Sequence, residues 1–136
     1  MVKGVKQMLN LDYECMKYAQ GIVHSIDKSE KKNVKELENK LRKVQGVLQE
    51  DGIYAMFLWL ESKEGKNIRK ILIELLNESD IREHLLTNSS NFPDGFSEFC
   101  EILLREVAQD IDKLLFMKKL LERTLTYALY HAKIGG

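Results

Sequence analysis

A chain of 136 residues with 44% hydrophobic and 31% charged residues has the make-up of one globular domain, not of a disordered segment or a fibre. Its 21 Lys and Arg balance 21 Asp and Glu, so any affinity for a polyanion must come from local surfaces. The longest uncharged apolar run, Ile53–Leu60, falls far short of the ~20 residues that cross a bilayer, and Lys3, Lys6, Asp12 and Glu14 interrupt any apolar leader at the start.

A single proline and few β-branched pairs favour an all-α protein of six or seven helices in one domain, residues 1–136. Residues 5–26 form the first expected helix, with Met8, Leu9, Leu11, Cys15, Ala19, Ile22, Val23 and Ile26 near helical spacing. Residues 27–32 read as a charged loop. Asn33 with Glu36 three residues later reads as a capping box that opens a second helix. Val34, Leu37, Leu41, Val44 and Leu48 then give one apolar seam, supported by the pairs Glu36–Lys40 and Glu38–Arg42.

Asp51-Gly52 stops this helix. The following run, Ile53 to Leu60, leaves no polar face at 100° per residue, and a helix that is apolar all round must be covered all round. This stretch is therefore expected to be the buried central helix, with both Phe57 and Trp59 inside. Lys63 sits in its last turn and Gly65 ends it.

Residues 66–78 form the next helix, with Ile68, Ile71, Leu72, Leu75 and Leu76 inward. Lys66, Arg69 and Lys70 share the opposite face, where Ile73 projects among them. A short helix follows over 79–86, with Ser79 as candidate cap. The stretch Thr87–Gly95 carries strong breaker chemistry and is expected to be mobile. Phe96, Phe99, Cys100, Leu103, Leu104 and Val107 mark the inner face of a further helix whose outer face is acidic: Glu98, Glu101, Glu106 and Asp110. Asp94 to Leu104 loosely echoes Asp51 to Leu60.

The last helix runs from about Ile111 to Lys133, with Ile111, Leu114, Leu121, Leu125, Ala128, Leu129 and Ala132 as core. A second face carries Phe116, Leu120, Tyr127 and Tyr130, bordered by Lys119 and Arg123. Aromatics beside cations can stack bases and hold phosphates, although packing on two sides explains the same pattern.

Charge is uneven along the chain. Residues 1–70 carry 14 Lys/Arg against 10 Asp/Glu, residues 71–112 carry 2 against 10, and residues 113–136 carry 5 against 1. Solvated faces account for this, as do separate basic and acidic surfaces that bind different partners.

Catalytic patterns do not stand out. His24, His84 and His131 stand alone in sequence, without the spacing of a helical metal site, and no phosphate loop or nucleophile elbow is present. Glu98 and Glu101 lack a histidine or metal partner. Cys15 and Cys100 lack metal spacing and fall on apolar faces, which fits free thiols in a reducing cytoplasm. The expectation is a protein that is not an enzyme and needs no cofactor or metal.

The run Leu37 to Lys63, LENKLRKVQGVLQEDGIYAMFLWLESK, resembles the best-marked region of a known family, the small helical subunit of the type III-B CRISPR effector, or Cmr complex. The shared order is a basic amphipathic helix, a polar-Gly-apolar break at Asp51-Gly52-Ile53, an apolar helix and a terminal lysine, Lys63. Helices like Tyr13–Ile26 and Leu114–Lys133 also fit. One difference is Gln45, where members often carry proline. The resemblance implies a non-catalytic, cytoplasmic, all-α subunit of an antiviral complex. Such subunits stack beside the guide RNA–target RNA duplex, contact neighbouring subunits including copies of themselves, and touch RNA backbone through Lys and Arg. It implies no membrane and no small-molecule substrate. The candidate RNA contacts are Lys40, Lys43, Lys63, Lys66, Arg69, Lys70, Lys119 and Arg123. A protein-only helical adaptor, a small subunit of another CRISPR effector type, and a ligand- or metal-dependent enzyme in a helical bundle are the alternatives.

Overall fold

The computed structural model describes residues 2–26, 31–63 and 65–135, with side chains described for 11–26, 33–63 and 65–135. Seven α-helices follow one another: α1 Val2–His24, α2 Lys31–Asp51, α3 Ile53–Ser62, α4 Lys66–Leu76, α5 Ser79–Leu85, α6 Phe96–Ile102 and α7 Ile111–Lys133. A π-turn, Leu103–Val107, extends α6. Among the described residues there is no strand, so the chain is an all-α, single-domain bundle.

The helices close into a ring. Helix α7 lies between α1 and α2, α3 lies against α2, α4 against α3, and α4 returns to α1. Helix α5 touches α4 and α7, and the π-turn touches α7. The expected seams fill the centre: Cys15, Ile22 and Val23 of α1, Leu41, Val44 and Leu48 of α2, and Leu121, Leu125 and Ala128 of α7 are fully buried.

Ring geometry corrects the place of α3. Its buried residues are Ile53, Met56, Phe57 and Leu60, a single stripe, while Tyr54 is 56% exposed, Leu58 is 42% exposed and Trp59 is half-buried. A helix with neighbours on its two flanks and one inner face buries only that stripe, however apolar its other residues are. Helix α7 has more neighbours, lying against α1, α2, α5 and the π-turn. The opposite correction applies to Ile73. Helix α4 meets α1, α3 and α5, so it buries a wide arc, and Ile73 lies inside it, not among the lysines.

The Asp51-Gly52 junction is a stop and restart as expected. Gly52 takes φ of 101°, the left-handed region that favours glycine, and its N–H donates to Leu48 O at 3.1 Å before α3 begins. Gly65 is needed for a different reason. A Cβ there would come within 2.5 Å of Leu60 Cδ2 and 3.1 Å of Leu60 Cα, while Gly65 N–H donates to Leu60 O at 2.9 Å. The Asp94-Gly95 echo does not extend to the backbone, since Gly95 has φ of −66°.

Helix starts differ from the expected caps. Lys31 and Lys32 already belong to α2, so Asn33 is its third residue and not its cap; residues 27–30 lie outside the described residues. Ser79 is the first residue of α5, and the extended Glu78 precedes it as the cap position.

The stretch 87–95 is not loose. Asn77 works as a clasp: its Nδ2 donates to Phe92 O at 2.9 Å and its Oδ1 accepts from Phe92 N at 2.7 Å. Phe92 is buried and its ring lies 5.8 Å from that of Phe99, which in turn lies 4.7 Å from Phe57. The other clasp is Glu106, expected on the acidic surface but only 7% exposed. Its Oε1 accepts from Thr87 N and Asn88 N, both at 2.9 Å, and from Ser89 N at 3.4 Å, while Ser89 Oγ donates to Oε2. Helical phase gives the reversal: at about 100° per residue Glu106 lies about 20° from Phe99, on the side of Leu103 and Val107, whereas Leu104 lies about 140° away. At the π-turn Ala108 N–H donates to Leu103 O, five residues back. Glu106 turns inward and Leu104, expected inside, turns to solvent. Ile111 is likewise exposed at the start of α7, where Asp110 caps the helix by accepting from Asp112 N and Lys113 N.

Candidate nucleic-acid interface

The eight candidate cations lie on three parts of the ring. Lys40 and Lys43 are on α2, one half-buried and one exposed. Lys63, Lys66, Arg69 and Lys70 surround the α3–α4 corner, and Lys119 and Arg123 are one turn apart on α7.

The corner holds two kinds of cation. Arg69 is a structural tie: its Nε lies 3.1 Å from Glu61 Oε1, its guanidinium donates to Asp94 O at 2.9 Å, and it stands 6.0 Å from the Phe96 ring centre. It joins α3, α4 and the loop before α6, with little of its side chain open to solvent. Lys63, Lys66 and Lys70 are exposed. Lys66 reaches Glu61 only at 3.9 Å, and no ion pair engages Lys63 or Lys70 among the described residues. Glu61 is therefore shared between Arg69 and, at longer range, Lys66. Beside them a hollow of about 440 Å³ is lined by Glu61, Ser62, Lys66 and Asn67.

The aromatic-basic face of α7 splits into two halves. Leu120 is buried, and the Tyr127 hydroxyl donates to Asp12 Oδ1 at 2.7 Å, which also lies 3.5 Å from Arg123. That half is packing between α1 and α7. Phe116 and Lys119 belong to the other half and look toward α5, where the His84 ring lies 4.4 Å from the Phe116 ring. Tyr130 is exposed, with Lys133 5.3 Å from its ring centre.

Acidic groups also gather where the sequence offers no pattern. Glu14 of α1 sits beside Glu78 and Asp80 at the start of α5, with Lys17 3.7 Å from Glu78. Burial, a hydrogen bond with Glu78 and the charge of Glu78 push the Glu14 carboxyl up to about 7. The same surroundings, burial first, raise Tyr18 to about 12. Glu106 moves the other way. Burial pushes it up, but the Ser89 hydroxyl and the N–H groups of Asn88, Thr87 and Ser89 together outweigh burial and hold it down to about 2.

The fold brings His24 and His131, far apart in sequence, to a ring separation of 6.0 Å, edge to face, at the C-terminal ends of α1 and α7. Among the described residues no group of three His, Cys, Asp or Glu side chains is placed to hold a metal ion. Cys15 is buried with its thiol directed at Leu120 O, and burial pushes its pKa up; Cys100 is half-buried. No helix among the described residues is long and apolar enough to cross a membrane.

No family model, curated protein or solved structure matches this chain.

Proposed function

We propose that this chain is a non-catalytic small subunit of a type III-B CRISPR effector, lying beside the guide RNA–target RNA duplex and contacting RNA backbone and neighbouring subunits. The observation that carries the reading is the α3–α4 corner. Three exposed lysines, Lys63, Lys66 and Lys70, meet there, and Glu61 lies closer to Arg69, at 3.1 Å, than to Lys66, at 3.9 Å. The corner closes the same stretch, Leu37 to Lys63, that resembles the Cmr small subunits. Exposed lysines suit phosphates, which they meet as point charges without reading sequence. With zero net charge on the chain, affinity is built by assembly, many weak contacts acting together.

A second reading, a protein-only helical adaptor, is favoured by Tyr54 and Leu58, which leave α3 with an apolar outer stripe. Tagged chain expressed in its native cell separates the two. The proposed function predicts co-purification with a guide-RNA-bearing complex that survives washing but loses the chain's RNA cross-links after nuclease treatment. An adaptor yields protein partners and no RNA cross-links.

A further inference from the structure

The groove between α5 and α7 contains the half of the α7 aromatic face that is only partly taken up by core packing. It is a hollow of about 520 Å³, inside the ~300–1,000 Å³ range of small-ligand sites. Its floor is apolar and aromatic. Phe116 is half-buried, Leu115 is 52% exposed, and the exposed His84 ring tilts 56° against Phe116. Lys119 stands on the rim, exposed and without an ion-pair partner among the described residues, and Lys118 reaches Glu122 only at 4.0 Å. Asp112 completes the wall.

We propose that this hollow seats one unpaired nucleobase of a single-stranded nucleic acid, an inference that rests on the reading of the chain as an RNA-contacting subunit. Two lysines and two carboxylates balance, so the hollow does not select a bare phosphate. An apolar floor that offers an aromatic ring takes the face of a base, because every base has a π-face to stack. Asp112 and Glu122 are acceptors for the amino groups on base edges, and the exposed Lys119 offers a cation to the attached phosphate.

The test is a titration of the full chain with a single-stranded RNA hexamer, and with the same hexamer annealed to its complement, followed by side-chain NMR signals up to millimolar strand. The hexamer is expected to move the signals of His84, Leu115 and Phe116, and the duplex to move them far less. His84→Ala changes an exposed residue and should leave the melting temperature in place. It should weaken hexamer binding by roughly 5- to 150-fold, the loss of one base–aromatic stack. Signals that stay put with the hexamer, or that move equally with the duplex, overturn the seat. Shifts confined to the Lys63–Lys70 corner also overturn it while leaving the backbone-contact reading standing. A partner peptide filling the hollow is a further contrary outcome.

Discussion

Replacing Glu106 with Gln tests how the loop over residues 87–95 is held. The substitution keeps the shape and removes the charge that gathers three N–H groups and the Ser89 hydroxyl. The carboxyl falls from its ordinary 4.5 to about 2 on folding, and at 1.36 kcal/mol per pKa unit the charged form stabilises the fold by about 3 kcal/mol at most. A lowered carboxylate pKa contributes stability that is fully present above the unfolded value. It is lost as pH falls from about 4.5 toward about 2. Each kcal/mol corresponds to roughly 3–5 °C for a domain of this size, so Glu106→Gln should melt about 10 °C below the parent at pH 7. The gap should narrow as pH falls, because the parent then loses the same charge. Thermal melts followed by circular dichroism at pH 7, 4 and 2.5 measure both effects. Equal melting at pH 7, or a gap that stays constant down to pH 2.5, would refute the clasp.

Three further outcomes are expected. Phe57→Ala should cost ~3–5 kcal/mol, since its ring is fully buried against Phe99, whereas Trp59→Ala should cost less because its side chain is only partly buried; urea unfolding of both variants gives the comparison. Gly21→Ala should stabilise α1 by ~0.5–1 kcal/mol, its new Cβ meeting only Ile71 at 3.9 Å, while Gly52→Ala should destabilise by ~1–2 kcal/mol because φ there is 101°; opposite shifts in melting temperature are the readout. Glu14, pushed up to about 7, has the reverse sign to Glu106: its contribution is greatest below the unfolded 4.5 and is lost as pH rises through about 7, so Glu14→Gln should raise the melting temperature at pH 8 and leave it unchanged at pH 4.

What was legible in the sequence is what each stretch decides for itself. The α2 seam from Leu37 to Leu48 and the α7 seam from Leu121 to Ala132 repeat within their own helices, and each is buried as its spacing predicts. Gly52 is legible because a left-handed residue between two helices leaves a local mark. Burial that depends on the number of neighbours is not legible: Trp59 is half-buried and Ile73 buried because α3 turns only one stripe into the ring while α4 meets three helices. The clasps escape for a different reason. Glu106 finds Thr87, Asn88 and Ser89 on a loop seventeen to nineteen residues away, and Asn77, inside the expected helix over 66–78, meets Phe92 only when the chain folds back. At the candidate interface the exposure of Lys63, Lys66 and Lys70 follows from their helix face. The structural tie of Arg69 does not, because Glu61 and Asp94 come from other elements.

The central claim, that the α3–α4 corner meets RNA backbone, is tested most directly by salt dependence. The assembled effector complex is compared with one carrying Lys63→Ala, Lys66→Ala and Lys70→Ala together, with Arg69 left in place to keep the loop tied. RNA affinity is measured across a salt series for both. Each phosphate deprived of its lysine should reduce the slope of log affinity against log salt by ~0.7–0.9, so the triple variant should bind more weakly with a slope shallower by about 2–3. Identical affinities and identical slopes would contradict the claim and leave the three lysines as solvated surface.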